Sequence, residues 1–233
     1  MKTYRIALYP GDGIGPEVVD AAMVAVEAAQ RVVGEFRLDC ARFDWGVGYY
    51  ERHGRVAPED FLDTLRGFDA IFLGALGWPA RLSDSIGLLP IMQLRQAFDL
   101  YANVRPAQTF RGVPGPLRRE EPIDLVVVRE NSEGEYADNG GTLATGTSNE
   151  TAVQSAVHTR RGVERILRFG FQLAMTRRRR LAMITKSNAM RHGYGLWDRL
   201  CPTSRRNFPR SAWKGCTSTR RPCIWSNAHT LST

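Results

Sequence analysis

A strand, a turn and a helix follow one another in the stretch Ile6-Ala7-Leu8-Tyr9-Pro10-Gly11-Asp12-Gly13-Ile14-Gly15-Pro16-Glu17. Its first four residues are apolar and predict a buried strand. The glycines that follow allow a tight turn with close backbone approach, and Pro16 suits the first turn of a helix. Apolar residues then recur at helical spacing, at Val18, Val19, Ala22, Val26 and Ala29. The chain therefore begins as an alternating α/β protein.

The glycine-rich turn has a competing interpretation as a dinucleotide-binding loop. The segment Gly11-Asp12-Gly13-Ile14-Gly15 resembles such a loop, but the G-x-G-x-x-G spacing is absent and Pro16 interrupts it. A tight strand-to-helix turn is therefore the favoured interpretation.

Further strands and helices alternate along the chain. Residues 36–43, 70–75, 123–128 and 181–185 predict strands, and residues 58–65, 88–102 and 151–174 predict helices. Strands separated by helices indicate a largely parallel sheet that is covered on both faces. We therefore predict the α/β class.

Length and composition narrow the possible classes of protein. The 233 residues suffice for one large or two small domains. The first residues do not resemble a secretory signal, and no stretch approaches the ~18 consecutive apolar residues of a membrane span, so we expect a cytoplasmic protein. Neither a zinc site nor a disulfide framework is favoured, because C-x-x-C spacing is absent among Cys40, Cys201, Cys216 and Cys223.

The net charge of +8 comes mostly from the last 33 residues. That segment contains no aspartate or glutamate, and its cations are Arg205, Arg206, Arg210, Lys214, Arg220 and Arg221. A second basic run, residues 177–180, follows a predicted helix, where cations complement the carbonyl end of the helix dipole. Because no nucleic-acid-binding motif accompanies these cations, we do not expect a nucleic-acid partner.

A second informative segment is the end of the fourth predicted strand, Val126-Val127-Val128-Arg129-Glu130-Asn131-Ser132-Glu133-Gly134-Glu135-Tyr136. Open α/β sheets bind their ligands beyond the carboxyl ends of the strands. The Arg129 guanidinium can donate two parallel hydrogen bonds to a carboxylate. The segment therefore indicates a site for a small polyanion, with Tyr136 nearby.

Other polar residues allow more than one interpretation. Arg95 and Arg105 join Arg129 either as a cluster or as three ordinary surface arginines. Lys186 follows the strand at 181–185, where burial or cationic neighbours can convert a lysine into an acid or a base. His53 and His158 are isolated, and we interpret them as surface or helix-face residues.

Five motifs occur in an order that resembles one enzyme family. They are Gly11-Asp12-Gly13-Ile14-Gly15-Pro16-Glu17, Leu94-Arg95, Asn103-Val104-Arg105-Pro106, Val128-Arg129-Glu130-Asn131 and Thr185-Lys186-Ser187-Asn188-Ala189. Together they resemble the β-decarboxylating dehydrogenases, which include the isocitrate, isopropylmalate and tartrate/D-malate dehydrogenases, over residues 4 to about 200. Segments such as Asp44-Trp45-Gly46 and Gly74-Ala75-Leu76-Gly77-Trp78-Pro79 are most similar to the tartrate dehydrogenase/decarboxylase branch.

This resemblance implies a fold and a reaction. The fold would be the isopropylmalate-dehydrogenase-like two-domain α/β sheet with helices on both faces, incomplete at its carboxyl terminus. Residues 1–102 would begin the large cofactor domain, residues 103–200 would form part of the smaller substrate and dimerisation domain, and residues 201–233 would be a disordered tail outside the family. The reaction would oxidise tartrate or D-malate with NAD and Mn2+ or Mg2+, with or without loss of the β-carboxylate. Isopropylmalate dehydrogenase activity is an alternative.

The resemblance also implies individual roles. Three arginines would bind the substrate carboxylates, namely Arg95, Arg105 and Arg129. Tyr136 would protonate the enol carbon, and Lys186, reaching across from the partner subunit of a homodimer, would deprotonate the hydroxyl. Asn188 would lie near the nicotinamide of NAD.

The chain departs from the family after Leu200. The family holds its metal with three later aspartates, and a further glycine-rich segment binds the adenosine end of NAD; neither occurs in this sequence. A hard cation prefers several oxygen ligands, so the alternative to an active enzyme is an inactive remnant of one.

The genetic code offers an explanation for this departure. Trp213 is encoded by TGG and Lys214 by AAA or AAG, so reading two nucleotides later gives GAA, a glutamate codon. Continued in that frame through Thr230, the allowed codons permit E-G-M-H-V-D-A-A-A-M-Y-L-V-E-R-P-H, which resembles the family strand that carries a metal-binding aspartate. We hypothesise a frameshift near Leu200 or Cys201.

Overall fold

A computed structural model describes residues 1–115, 117, 122–206, 208 and 215–219 of the chain. Two compact units divide it, Met1–Asp99 and Leu100–Thr233. None of the described helices is long and apolar enough to cross a membrane.

The first unit is built on a three-stranded parallel sheet of order β2-β1-β3. Its elements, in chain order, are β1 (Lys2–Gly11), α1 (Gly15–Val33), β2 (Phe36–Arg42), α2 (Val47–His53), α3 (Phe61–Arg66), β3 (Ala70–Ala75), α4 (Asp84–Gly87) and α5 (Leu89–Ala97). The core packs aromatic and aliphatic side chains from these elements, with the rings of Tyr9 and Trp45 in an edge-to-face contact at 5.4 Å. The predicted β1–turn–α1 order and the third strand at residues 70–75 are confirmed.

The described residues of the second unit form three pairs of strands and two helices. Its elements are β4 (Ala102–Gln108), β5 (Asp124–Glu130), β6 (Gly134–Leu143), β7 (Thr151–Val157), α6 (Arg160–Met175), β8 (Arg180–Ile184), α7 (Gly193–Arg206) and β9 (Gly215–Thr219). Strands β4 and β5 pair antiparallel, as do β6 and β7, whereas β8 and β9 pair parallel. The core of this unit lies between α6 and α7, where Val163, Leu167, Phe171 and Leu200 are buried.

The prediction of a largely parallel sheet was therefore wrong for the second unit. Residues 151–157 were predicted as the start of a helix, but they form β7 opposite β6. Apolar residues at 153 and 157 fit helical spacing, yet residues 151, 153, 155 and 157 equally fit the alternation of a strand, and the partner strand decides. Helix α5 also ends at Ala97 rather than at residue 102, because the chain continues as β4.

The predicted tail begins later than residue 201. Helix α7 continues through Arg206, with Leu200, Cys201 and Ser204 buried, and the backbone of Gly215–Thr219 pairs with β8. Pro202 lies inside this helix, and a proline at that position argues against a helix in the sequence. The expectation of disorder for residues 220–233 falls outside the described residues.

Asp124, at the start of β5, joins this strand to the basic run that follows α6. Its carboxylate accepts hydrogen bonds from Arg177 at 2.5 Å and from Arg178 at 3.0 Å. The hydrogen bond from Arg177, supported by the charges of both arginines, holds the pKa of Asp124 below its ordinary value. Two arginines of the run predicted as a solvated helix end therefore bind a carboxylate.

This pair gives a pH-dependent prediction. The lowered pKa means that ionised Asp124 stabilises the fold at neutral pH, and that this contribution is lost as the pH falls through the lowered pKa. Asp124→Asn should lower the melting temperature slightly at pH 7, and the difference from the parent should shrink in acid, below the ordinary aspartate pKa of about 3.9. The control is Asp39→Asn, at an exposed strand position for which the described residues show no ion pair. A difference independent of pH would contradict the assignment.

Candidate active site

In the first unit, a buried carboxylate joins the loops at the carboxyl edge of the sheet. Asp12 follows β1 and is only 5% exposed. Its carboxylate accepts hydrogen bonds from the backbone N–H of Val47, at 2.6 Å, and of Gly77, at 3.0 Å. Its own backbone N–H donates to the carbonyl of Ala75 at 2.6 Å. Asp12 therefore holds together the loops that follow β1, β2 and β3.

The glycines of this turn are required by close backbone approach rather than by a phosphate loop. A Cβ on Gly15 would lie 2.0 Å from the carbonyl oxygen of Pro10, and Gly11 adopts a φ of +74°. Beneath the turn, burial and then the negative charge of Asp12 raise the pKa of the Tyr9 phenol. The sequence analysis quoted Asp12 only as part of a motif; an acid between two glycines at a strand end was the signal available.

In the second unit, Arg129 and Tyr136 are brought into direct contact. The Nη1 of Arg129 donates to the Tyr136 hydroxyl at 2.9 Å, and its Nη2 donates to the Asn131 side-chain oxygen at 2.7 Å. Asn131 is itself fixed, because its side-chain amide donates to the carbonyl of Leu100 at 3.0 Å. The Arg129 Nε is buried and has no hydrogen-bond partner within the described residues. The guanidinium is thus held in place, while its Nε–H lacks an acceptor among the described residues. A carboxylate ligand could supply this acceptor.

The loop between these two residues is anchored to the start of α6. The Glu130 carboxylate accepts from the backbone N–H of Ser132 and of Glu133. The Glu133 carboxylate in turn accepts from the Thr159 backbone N–H at 2.9 Å and from its hydroxyl at 2.6 Å. A Cβ on Gly162 would lie 2.1 Å from that carboxylate, so only glycine leaves space for it. These contacts fix the conformation that places Tyr136 beside Arg129.

Arg105 lies on the strand next to Arg129. In the β4–β5 register Asn103 is opposite Arg129 and Arg105 is opposite Val127, so the two arginines share a face of the strand pair as diagonal neighbours. The exposed Arg105 donates to the side chain of Asn103 at 2.8 Å. Arg95 belongs to the first unit, in the last turn of α5, where its guanidinium contacts the sulfur of Met92.

Lys186 and Asn188 lie on the loop that follows β8. Their side chains are exposed, whereas Thr185 and Ser187 between and beside them are buried. The carbonyl of Lys186 accepts from the backbone N–H of Met190 at 2.9 Å, which closes the loop into a turn. The loop therefore presents both predicted residues to solvent.

His158 is a correction to the sequence analysis. It is neither an isolated surface residue nor on a helix face; it follows β7, and its ring packs against residues of β6 and α7. The sequence around His158 contains no signal that distinguishes an exposed histidine from one packed between a strand and a helix.

The donor set for a metal does not fit. Within the described residues no three His, Cys, Asp or Glu side chains are grouped so that they could hold a metal ion. Residues 201–233 supply no carboxylate by sequence. The role of Asn188 beside the nicotinamide of NAD stays a prediction. We therefore derive no step of a reaction through either group.

Comparison with known proteins decides the family. The family model described as isocitrate/isopropylmalate dehydrogenase matches residues 5–212. The chain belongs to the isocitrate/isopropylmalate dehydrogenase family. Within this family, a probable tartrate dehydrogenase/decarboxylase of Agrobacterium vitis is 46% identical over 217 residues, covering 91% of this chain and 60% of the relative. The D-malate dehydrogenase [decarboxylating] of Escherichia coli (strain K12) is 44% identical over 218 residues, with the same coverage.

Solved structures agree with the family assignment. The isocitrate dehydrogenase of Methylococcus capsulatus has a TM-score of 0.70 at 30% identity, over 93% of this chain and 60% of that one. The TT0538 protein of Thermus thermophilus has a TM-score of 0.72 at 30% identity, over 92% of this chain and 41% of that one. The predicted α/β fold of this dehydrogenase family is thereby confirmed. The chain spans about three fifths of the length of the curated relatives it matches.

The family similarity extends further than predicted. The match continues to residue 212, about twelve residues beyond the predicted limit near residue 200. Helix α7, which runs past Leu200 without interruption, agrees with this later limit.

Proposed function

We propose that this chain carries the substrate half of an NAD- and Mn2+- or Mg2+-dependent enzyme that oxidises a 2-hydroxy dicarboxylic acid, with or without β-decarboxylation. The observation that carries the proposal is the Arg129–Tyr136 pair, in which a fixed guanidinium keeps one buried N–H without a partner among the described residues. The names of the relatives suggest tartrate and D-malate as substrates. Isopropylmalate is the alternative within the same family.

Two arginines of the second unit suit the carboxylates of such a substrate. The Arg129 Nε–H can donate to one carboxylate oxygen in a charge-assisted hydrogen bond. Arg105 is exposed on the same face of the strand pair and adds a second cation for the other carboxylate. Arg95 is the third proposed carboxylate ligand.

Tyr136 and Lys186 are the proposed proton-transfer groups. The Tyr136 hydroxyl accepts a hydrogen bond from Arg129, so the guanidinium stabilises the negative charge that the phenol acquires when it donates its proton to an enol carbon. Lys186 has an exposed side chain, which suits a base that reaches the site of a partner subunit. Asn188, two residues further, is the proposed contact with NAD.

A homodimer is part of this proposal. Strands β6 and β7 form a two-stranded ribbon on which Leu143 is 68% exposed and Val153 is 54% exposed. A two-stranded ribbon is marginal by itself, and a second copy would cover these apolar side chains. We also propose a cytoplasmic location and no nucleic-acid partner.

The second candidate function is an inactive remnant. It is favoured by the absence of any carboxylate in residues 201–233, where the family has its metal ligands. The hypothesis of a changed reading frame accounts for both candidates, since the intact frame would encode the enzyme and the changed frame its remnant. The position of the frame change is revised. Because family similarity continues to residue 212, the change of frame lies at or after Trp213, where the alternative codons begin to encode the family-like segment.

The reaction tests both candidates. NADH formation from D-malate, tartrate and isopropylmalate is followed with Mn2+, in the chain as printed and in a version whose coding frame is restored after Trp213 and read on through the downstream segments that supply the remaining metal and NAD ligands. We expect turnover in the restored version and none above background in the printed chain, because the printed chain lacks the oxygen ligands for a divalent cation.

The controls separate the outcomes. Tyr136→Phe in the restored version should strongly lower turnover without preventing folding, because protonation of the enol that follows loss of CO2 is impaired. Equal turnover of the printed and the restored chains would refute the remnant, and no turnover of any of the three acids by the restored version would refute the enzyme.

A further inference from the structure

The ring of His158 lies between two segments, one that carries Tyr136 and one that follows the Lys186 loop. One segment is the start of β6, where Gly134 pairs with Val157, the residue before His158. The other is the start of α7, beginning at Gly193. A Cβ on Gly134 would lie 3.3 Å from the His158 Cε1, and a Cβ on Gly193 would lie 2.6 Å from its Cδ2. The imidazole therefore fills the space that these two glycines leave.

Polar contacts fix the protonation of this ring. The Trp197 indole N–H, on α7, donates to the His158 Nδ1 at 3.2 Å. An indole can only donate, so Nδ1 carries no proton and the neutral ring carries it on Nε2. The Nε2 is buried and has no hydrogen-bond partner in the part of the chain that the structure describes. The contact with α7 therefore depends on Nδ1 as a hydrogen-bond acceptor.

Tyr194 adds a second connection between the same segments. Its ring lies 5.1 Å from the His158 ring, and its hydroxyl lies 3.5 Å from the carboxylate of Glu135, the neighbour of Tyr136. Burial, and then Glu135, raise the pKa of Tyr194, so the phenol stays protonated and can donate to that carboxylate.

The start of α7 is also connected to the Lys186 loop. The Tyr194 backbone N–H donates to the carbonyl of Met190, whose own N–H donates to the carbonyl of Lys186. A displacement of Tyr194 is therefore transmitted to the loop that carries Lys186 through two successive backbone hydrogen bonds.

We propose that His158 is a positioning residue that holds the segment of Tyr136 against the segment that follows Lys186. The catalytic meaning of this role rests on the proposed function of those two residues. Within the described residues, no hydrogen bond or ring contact joins His158 to Arg105 or Arg129, so we expect it to act on proton transfer rather than on substrate binding. If Lys186 serves the site of a partner subunit, each His158 positions one group in each of two sites.

Hydrogen exchange of the chain as printed tests the structural part. His158→Phe keeps the ring and removes the acceptor, whereas His158→Asn retains an acceptor near the position of Nδ1. In His158→Phe, loss of one hydrogen bond should raise the rate of amide exchange about tenfold, in residues 134–136 and in residues 193–197 alike. In His158→Asn the rate should rise by less than about threefold. The control is His192→Phe, at an exposed histidine. A response confined to one segment, or equal changes in β1 and β3, would overturn the proposal.

A second measurement stands even where His158→Phe fails to fold. Nitrogen-15 spectra of the unmodified chain report which imidazole nitrogen carries the proton. We expect Nδ1 without a proton and Nε2 with one, and the opposite tautomer would overturn the proposal.

Turnover tests the catalytic part in the frame-restored version. His158→Phe should lower kcat about tenfold and leave KM for D-malate within about threefold, because positioning affects proton transfer while Arg105 and Arg129 still bind the acid. His158→Asn should recover most of kcat, and a change in KM alone would overturn the positioning role. If the restored version without substitutions shows no turnover, the proposed function is refuted rather than the role of His158. Amide exchange and nitrogen-15 spectra then test whether His158 holds the two segments together.

Discussion

Arg129→Lys should lower kcat/KM for D-malate in the frame-restored version by about 100- to 1,000-fold, equivalent to roughly 3–4 kcal/mol of transition-state stabilisation. Lysine keeps the positive charge, but it cannot donate at the same time to Tyr136, to Asn131 and to a substrate carboxylate from one rigid plane. Both KM and kcat should change. KM should rise because a carboxylate ligand is lost, and kcat should fall because Tyr136 loses its orienting donor.

The matched control is Arg168→Lys. Arg168 is exposed on α6 and has no ion-pair partner within the residues the structure describes. We expect kcat/KM to stay within about twofold of the parent for this variant, since surface substitutions away from such contacts have small effects. An Arg129→Lys variant as active as the control would contradict the proposed site.

Asp12→Ala should have the largest effect on stability. It removes a buried carboxylate and leaves the backbone N–H groups of Val47 and Gly77 without their acceptor. A buried donor left unsatisfied costs about 1–3 kcal/mol. The free energy of unfolding of the first unit should therefore fall by at least this amount for the buried Val47 N–H, with a smaller addition for the part-buried Gly77 N–H. Asp12→Asn should cost about half as much, because the amide keeps one acceptor oxygen and turns its NH2 group towards the second donor.

Urea denaturation followed by circular dichroism measures both Asp12 variants. The control is Asp20→Asn, which removes an exposed carboxylate paired with Arg42 at 2.6 Å. Exposed pairs contribute less than about 1 kcal/mol, so this variant should unfold close to the parent. If Asp12→Ala unfolded with the control, the carboxylate would not be the group that holds the three loops together.

Several elements were predictable because their signal is local. The strand at 70–75 coincides with β3, and the predicted strand at 181–185 differs by one residue from β8 (Arg180–Ile184). Both are short apolar runs, which predict strands from the local sequence alone. The turn before α1 was predictable for the same reason, because glycine and proline restrict the backbone at their own positions.

Residues 151–157 show where local signals fail. Their apolar side chains fit a helix and a strand about equally, and pairing with β6 decides for the strand. Pairing depends on a segment distant in sequence, and a shift of one residue in register would reverse every side chain. The same reason explains why Arg105 and Arg129 could be suggested together but not assigned to one face.

The sequence by itself determined the family, the α/β class and the identity of the candidate carboxylate-binding and proton-transfer residues, because ordered motifs and short apolar runs are local properties of the chain. Only the tertiary structure decided that the Arg129 guanidinium donates to Tyr136, that Asp12 joins three loops, and that His158 lies between β6 and α7. Each of these contacts joins segments brought together by strand register and helix packing, and side-chain chemistry at that scale is set by neighbours in space rather than along the chain.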